Sequence, residues 1–270
     1  FYITSAGISL LNISTSESRL LYSNTTEDFF QVPSLYYDDQ LKRLWIGTGS
    51  AGLFYYDIIR KSLSDIPIRN FPKQPILAIR KDAKNTLLIG IDGQGIWNIS
   101  EKGDTILHIY KEDLNNPFSL RGDGVYDILC DGSKNWIATF TGKLSFFENN
   151  NSQITPVTYQ INNPNSLGNN YVNQIIEDHE GHIWFATNNG VSRWDAASNK
   201  WKHYYQNKSE QAKVFLSLCE DNQGHIWAGS YSSGIYLLDR ETGKTLKHYS
   251  SKTNTPGFTG DFIFDFFVDK

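Results

Sequence analysis

The residues of this chain best suited to chemistry are six histidines, two cysteines, a recurring Asp-x-x-Gly turn, and a set of aromatic and amide residues in polar segments. The histidines argue against catalysis. His108, His203 and His248 read as one position in three copies of a repeated segment, and His182 and His225 as a second, with His179 in that same turn. A catalytic base is normally a singular residue with an orienting partner, whereas a scaffold repeats its residues. No G-x-S-x-G elbow, H-E-x-x-H helix or glycine-rich phosphate loop is present. The Asp-x-x-Gly turns lack the interleaved oxygen ligands of a calcium loop. A tight hairpin explains them, with Asp bonding the local backbone and Gly taking positive φ. Neither a metal nor a cofactor is expected. Cys130 and Cys219 lie in different repeats with a whole repeat between them. A disulfide needs Cα atoms within about 7 Å, so two separate buried thiols are expected.

The polar segments carry a different chemistry. IRNFPKQP, NNPFSLRGDG, NNPNSLGNN and KTNTPGFTGD form one set, and TGSAG, IDGQG, TFTG, TNNG and SYSSG another. Both vary while the apolar segments around them repeat, as in a scaffold that presents one singular site on its loops. Their side chains are amides, hydroxyls, carboxylates and aromatics. The candidate ligand-binding residues are Arg69, Asp92, Arg121, Asp123, Tyr126, Phe140, Asn169, Tyr171, Asn188, Tyr231 and Phe262. Aromatic faces of this kind stack on the apolar face of a pyranose, and Asn, Asp and Arg bond its hydroxyls. Arg121 and Asp123 are also close enough in sequence to pair with each other on a solvated rim.

The elements that position these loops follow from self-similarity, which takes precedence because it decides the fold. The segments YITS, WIGT, LIGI, WIAT, WFAT and WAGS begin at Tyr2, Trp45, Leu88, Trp136, Trp184 and Trp227. Their spacings of 43, 43, 48, 48 and 43 average 45 residues, so six units fill the 270-residue chain. Before each anchor runs an alternating apolar segment closed by an acidic turn. Asp39, Asp82, Asp178 and Asp221 stand six residues ahead, and Asp131 takes that role in a shorter turn. After each anchor comes a glycine (Gly7, Gly52, Gly95, Gly142, Gly190, Gly234), then two more apolar strands. Each unit therefore reads as four short antiparallel strands. Such a unit every 40–50 residues is the pattern of a β-propeller blade. The expected fold is all-β: one propeller over residues 1–270 with six four-stranded blades, or seven if the chain is a truncated ring.

The phase of the ends predicts how the ring shuts. The chain starts on an anchor strand at Tyr2 and ends with FIFDFFVDK, in which Asp269 aligns with Asp178 and Asp221. Residues 258–270 should thus supply the missing first strand of the N-terminal blade and cover sheet edges that would otherwise stand open. Aromatic residues make up 14% of the chain, ample for a core of this size, and the net charge of −4 without a basic block removes nucleic-acid binding. No apolar run approaches the roughly 18 to 20 residues of a bilayer span. The absence of any Met and of a signal peptide reads as a piece of a longer precursor, itself making no membrane contact.

The repeat V-x-x-I-x-x-D-x-x-G-x-I/L-W-x-G/A-T-x-x-G resembles that of the two-component regulator propellers, most clearly in VNQIIEDHEGHIWFATNNGV and SLCEDNQGHIWAGSYSSGI. The resemblance runs the length of the chain, with Tyr2 and Leu88 in place of Trp in the first and third copies. It implies the periplasmic sensor region of a Bacteroidetes hybrid two-component histidine kinase, detecting oligosaccharides from complex glycans and relaying binding across the inner membrane. It further implies a second propeller beside this one; a homodimer partner is the alternative expectation. The alternatives are a protein-interaction or dimerisation platform and, last, a lyase resembling the streptogramin-inactivating propellers.

Overall fold

The computed structural model describes residues 2–4, 7–12, 14–23, 32–140, 143–206, 213–252, 258–266 and 268. These form two compact units, residues 1–133 and 134–270. The described residues hold 23 strands and no helix, arranged as one three-stranded and five four-stranded antiparallel sheets. Within every sheet the strands neighbour each other in chain order, so each sheet is a simple meander. This is the blade architecture of a β-propeller, as the repeat predicts.

In the four-stranded sheets burial peaks at the second strand and falls toward the fourth. The second strand, which carries the anchor residue, is buried on both faces: Leu87–Ile91 and Ile183–Thr187 are buried at every position. The fourth strand is the least buried: Ile106–Tyr110 is exposed at all but its last residue, and Thr245–Tyr249 is half-buried to exposed throughout. A strand that is apolar on both faces satisfies itself only between other packed layers, which explains W-I-A-T and W-F-A-T without polar alternation. One core in the first unit gathers Trp45, Ile76, Ile79 and Ile89. One in the second gathers Trp184, Val191, Phe215, Leu218 and Tyr236.

The small residue of W-x-G/A-T has a packing cause. A Cβ built on Gly47 would lie 2.7 Å from Ile76, and one on Gly90 would lie 2.8 Å from Val125. Ile76 and Val125 each open the first strand of the following sheet, in Ile76–Lys81 and Val125–Cys130. The Thr or Ser that follows closes the next hairpin. Thr48, Thr187 and Ser230 hydroxyls donate to the carbonyls of Gly52, Gly190 and Gly234 at 2.8, 2.8 and 2.9 Å. Gly95, Gly190 and Gly234 have φ of 72°, 86° and 74°. A Cβ there would strike the carbonyls of Tyr110, Tyr204 and Tyr249 on the fourth strands, so both conformation and space require glycine. Gly142 lies outside the described residues.

The acidic turns behave as read, with one correction. Asp178 is buried and accepts the indole N–H of Trp184 at 2.8 Å and the backbone N–H of His182 at 2.9 Å. Asp221 does the same for Trp227 and His225, both at 2.9 Å. In the second copy the working residue is Asp38 rather than Asp39. Asp38 is buried and accepts the N–H groups of Gln40 and Leu41 at 3.0 Å each, while Asp39 is exposed and pairs with Lys42. The turn there has no glycine and runs one residue longer, with Lys42 taking φ of 50°.

The first sheet consists of Tyr2–Thr4, Gly7–Asn12 and Glu17–Ser23, which are the second, third and fourth strands of the repeat. Residues 258–266 carry no assigned strand. Their backbone is tied to the sixth sheet: Gly234 N–H donates to Asp261 O and Ile263 N–H to Ser230 O, each at 3.0 Å. Asp269 lies outside the described residues.

Candidate functional site

The loops between second and third strands, and those leading from one sheet to the next, sit at the same end of each meander. In the first unit they carry Arg69, Asp92, Arg121 and Asp123, while Tyr126 lies one residue inside the strand Val125–Cys130. Asp92 is exposed, with its N–H bonded to Pro75 O at 2.9 Å. Burial, and then the charge of Asp92, push the Tyr126 phenol above its ordinary range, so these two candidates are electrostatic neighbours. Asp123 is occupied with structure: its carboxylate accepts Glu112 N–H at 2.7 Å and its carbonyl accepts Gly95 N–H at 2.9 Å. Arg121 folds back, donating from Nη2 to Pro117 O at 2.7 Å. Arg69 is exposed, and no hydrogen bond or ion pair ties it to the other four among the described residues.

In the second unit the corresponding loops carry Phe140, Asn169, Tyr171, Asn188, Tyr231 and Phe262. Tyr231 and Phe262 meet edge to face, with ring centroids 5.2 Å apart and planes at 86°, while remaining 51% and 55% exposed. Two aromatic side chains held in a fixed mutual geometry yet half open to solvent offer a stacking surface at small entropic cost. Asn188 N–H donates to Tyr171 O at 3.1 Å, and its Oδ1 accepts from Asn173 Nδ2 at 2.9 Å, joining these loops. Tyr171 itself is exposed, and its N–H is held by Asn169 Oδ1 at 2.8 Å. Asn169 is therefore a turn-forming residue. Phe140 is exposed at the end of its strand.

A site the sequence reading did not name lies in the same unit. The loop after Asn151–Val157 and the fourth strand Lys200–Tyr204 enclose a pocket of about 430 Å³, lined by Tyr159, Gln160, Asn162, Asn163, Pro164, Leu167, Gly168, His203 and Gln206. His203 is fixed at both nitrogens: Nε2 lies 3.1 Å from Pro164 O, and Nδ1 3.1 Å from Ser192 Oγ. The carbonyl can only accept, so Nε2 carries the proton and Ser192 donates to Nδ1. Burial lowers the imidazole pKa from its ordinary value, against the backbone bonds of Pro164 and Ser166, which raise it. This Ser–His pair is not a nucleophile and base, because Ser192 is buried and its Oγ also accepts Gly168 N–H at 3.2 Å.

The three fourth-strand histidines are not one repeat position. Ser192 pairs with His203 and Tyr236 with His248, each two residues past the hairpin glycine, but in the third sheet that place belongs to Ile109, and His108 pairs with Asn98. A one-residue offset turns a strand side chain to the other face, so His108 is exposed where His203 is half-buried. His182 bonds the Asp178 carboxylate at 3.0 Å within its own turn. Among the described residues no three His, Cys, Asp or Glu side chains are grouped to hold a metal ion. Cys130 and Cys219 are free thiols, each pushed up to about 12 chiefly by burial.

With blades, loop ends and pocket in place, comparison with known proteins gives the class. The family described as two-component regulator propeller matches residues 166–189 and 209–232, which span the first two strands of the fifth and sixth sheets. No curated protein sequence matches the chain significantly. Among solved structures, the extracellular domain of the hybrid two-component system BT3049 of B. thetaiotaomicron is similar at TM-score 0.55 and 19% identity, covering 97% of this chain and 39% of that one. The computationally designed protein Ika8 is similar at TM-score 0.64 and 11% identity, covering 95% and 70%. The extracellular domain of BT4673 from B. thetaiotaomicron matches at TM-score 0.43 and 19% identity, covering 96% and 42%. At these identities the likeness is one of fold. The chain spans about two-fifths of the length of the two B. thetaiotaomicron domains. No described helix is long and apolar enough to cross a membrane.

Proposed function

We propose that this chain is a ligand-recognising propeller segment of an extracytoplasmic, periplasmic sensor, that its ligand is an oligosaccharide released from a complex glycan, and that binding is relayed to a kinase. The carrying observation is the half-exposed, edge-to-face Tyr231–Phe262 pair on the loop end of the second unit. Amides and a further exposed aromatic, Asn188 and Tyr171, stand on the neighbouring loops of that end. Aromatic planes beside amides suit sugars, which have one apolar face and a rim of hydroxyls. The two-component regulator propeller repeat supports the sensory context.

Calorimetry with a panel of plant, host and microbial oligosaccharides tests this reading. At least one glycan should bind, and Tyr231→Ala or Phe262→Ala should weaken it about tenfold, equivalent to about 1.4 kcal/mol. A folded sample that binds no glycan overturns it. One observation favours a second reading, a protein-interaction face. Ile106, Leu107 and Ile109 are exposed together on the strand that ends the third sheet, an arrangement that invites association. Sedimentation of Leu107→Lys against the parent chain separates the two readings.

A further inference from the structure

Two connecting loops of this protein share one internal fold, and the residue that follows it, Arg121 in one and Gly168 in the other, decides whether a pocket exists. Residues 115–120 and 162–167 both read N-N-P-x-S-L. Asn116 N–H donates to Asp113 O at 3.0 Å, as Asn163 N–H does to Gln160 O at 3.2 Å. Ser119 Oγ accepts Asp113 N–H at 2.9 Å, as Ser166 Oγ accepts Gln160 N–H at 3.0 Å. Asn116 Oδ1 holds Phe118 N–H, and Asn163 Oδ1 holds Asn165 N–H, both at 3.0 Å.

The next residue is Arg121 in the first loop and Gly168 in the second. Arg121 reaches back over its own loop to Pro117 O at 2.7 Å. At Gly168 there is no side chain to do so, and the equivalent carbonyl, that of Pro164, is met instead by His203. A Cβ on residue 168 would lie 2.4 Å from Gln206 Nε2 and 2.9 Å from His203 Nδ1. The glycine is therefore what lets those two side chains line the space, and Gln206 Nε2 is anchored there on Gly168 O at 3.2 Å.

The wall chemistry selects the occupant. None of the residues lining this pocket of about 430 Å³ is Asp, Glu, Lys or Arg, so nothing compensates the burial of an ionic ligand. Gln160, Asn162, Asn163 and Gln206 each carry an acceptor and an NH₂ donor. Asn163 Nδ2 donates to Gln160 Oε1 at 2.7 Å and Gln206 Nε2 to Gly168 O, so Asn162 is the lining amide with both groups open to adjacent hydroxyls. Asn162's side chain makes no hydrogen bond to the described residues, and Tyr159 stands 45% exposed in the lining. The volume falls within the range of small-molecule sites. We propose that this pocket is a binding subsite for one neutral, polyhydroxylated unit, a hexose or pentose residue. The proposal goes beyond the loop-end reading and shares with it only the chemistry of the ligand, since none of its residues belongs to the Tyr231–Phe262 pair.

The test titrates the ¹⁵N-labelled 270-residue chain with free glucose, galactose, mannose and xylose, with sodium acetate and phosphate as charged controls, following side-chain amide signals. At least one neutral sugar should move the Gln160, Asn162 and Gln206 signals saturably. Gly168→Arg should abolish that response by filling the pocket as Arg121 fills its loop. Asn162→Gly, which keeps the positive φ of 63° at that position, should weaken binding at least fivefold without moving the melting temperature. Silence with every neutral sugar, equal shifts with acetate or phosphate, or an unchanged affinity in Asn162→Gly overturns the proposal. A silent pocket in a chain that still binds an oligosaccharide through Tyr231 leaves the loop-end reading standing. A responsive pocket with no oligosaccharide binding through Tyr231 does the reverse.

Discussion

Ile263 packs directly over Gly229, so closely that a Cβ on the glycine would stand 2.6 Å from Ile263 Cγ2. The contact reproduces that of Ile76 with Gly47 in the other unit. Ser217 Oγ donates to Ile263 O at 3.0 Å, as Ser34 Oγ does to Ile76 O at 2.6 Å. Ile263 N–H donates to Ser230 O at 3.0 Å, as Ile76 N–H does to Thr48 O at 3.1 Å. Since Ile76 opens the first strand of a sheet, the C-terminal segment docks on the sixth sheet as the start of a following sheet would.

Gly229→Ala should therefore destabilise the protein. The methyl group would meet Ser217 Oγ at 2.4 Å as well as Ile263, within a packed layer. Overpacking of this kind costs about 1–3 kcal/mol, or roughly 2–4 °C per kcal/mol for a chain of this size. Gly260→Ala is the control, because nothing lies within 4 Å of its added Cβ. Equal melting temperatures for the two variants would remove the docking argument.

The repeat made the strands, the hairpin glycines and the W-x-G/A-T motif legible because each rests on a local rule: alternation, positive φ, or a small residue opposite a large one. What stayed hidden depended on offsets and on contacts across sequence. The paired Asp38-Asp39 gave no sign of which carboxylate turns inward, since a one-residue longer turn decides it. His108 looked equivalent to His203 until strand register was known. Asp123 and Asn169 were sensible polar loop candidates, yet backbone N–H groups claim both side chains. The pocket at Gly168 was foreshadowed by the repeated N-N-P-x-S-L and the exchange of Arg121 for glycine. Its other wall, His203 and Gln206, comes from the strand Lys200–Tyr204 and the residues just after it, some 40 residues on, and only the fold supplies it.

Trp45 and Trp184 occupy the same place in two repeats but should respond differently to substitution by Phe. Trp184 Nε1 donates to Asp178, whereas Trp45 Nε1 is buried without a partner among the described residues. Trp184→Phe should cost about 1 kcal/mol more than Trp45→Phe, the net value of one hydrogen bond, as read by urea unfolding at pH 7. Burial alone would raise the Asp178 carboxyl, but the Trp184 indole and the His182 backbone and ring outweigh it and hold the pKa below the usual carboxylate range. The stability this confers is present above the unfolded carboxylate pKa of about 3.9 and is lost as pH falls through the lower folded value. The difference between the two variants should therefore shrink below pH 4. A difference that persists unchanged at pH 2.5 would contradict the assignment.

Lys81, whose side chain is only 10% exposed, should be a costly cation to remove. Its ammonium donates to Asp38 at 3.0 Å and Glu101 at 2.6 Å, and the Asp38 side chain is only 1% exposed. Lys81→Met strands that carboxylate, and breaking a buried pair by removing one partner costs about 3 kcal/mol or more. Lys42→Met breaks only the exposed pair with Asp39 and should leave the unfolding midpoint unchanged. Burial disfavours the Lys81 charge, yet the bonds from Glu101 and Asp38 raise its pKa overall. The pair's contribution should hold below the unfolded lysine value of about 10.4 and fade as pH climbs through the higher folded value. Adding Asp38→Asn to Lys81→Met should recover most of the loss, because no unpaired buried charge then remains. A double variant as unstable as Lys81→Met alone would show that the lysine acts through packing of its stem instead.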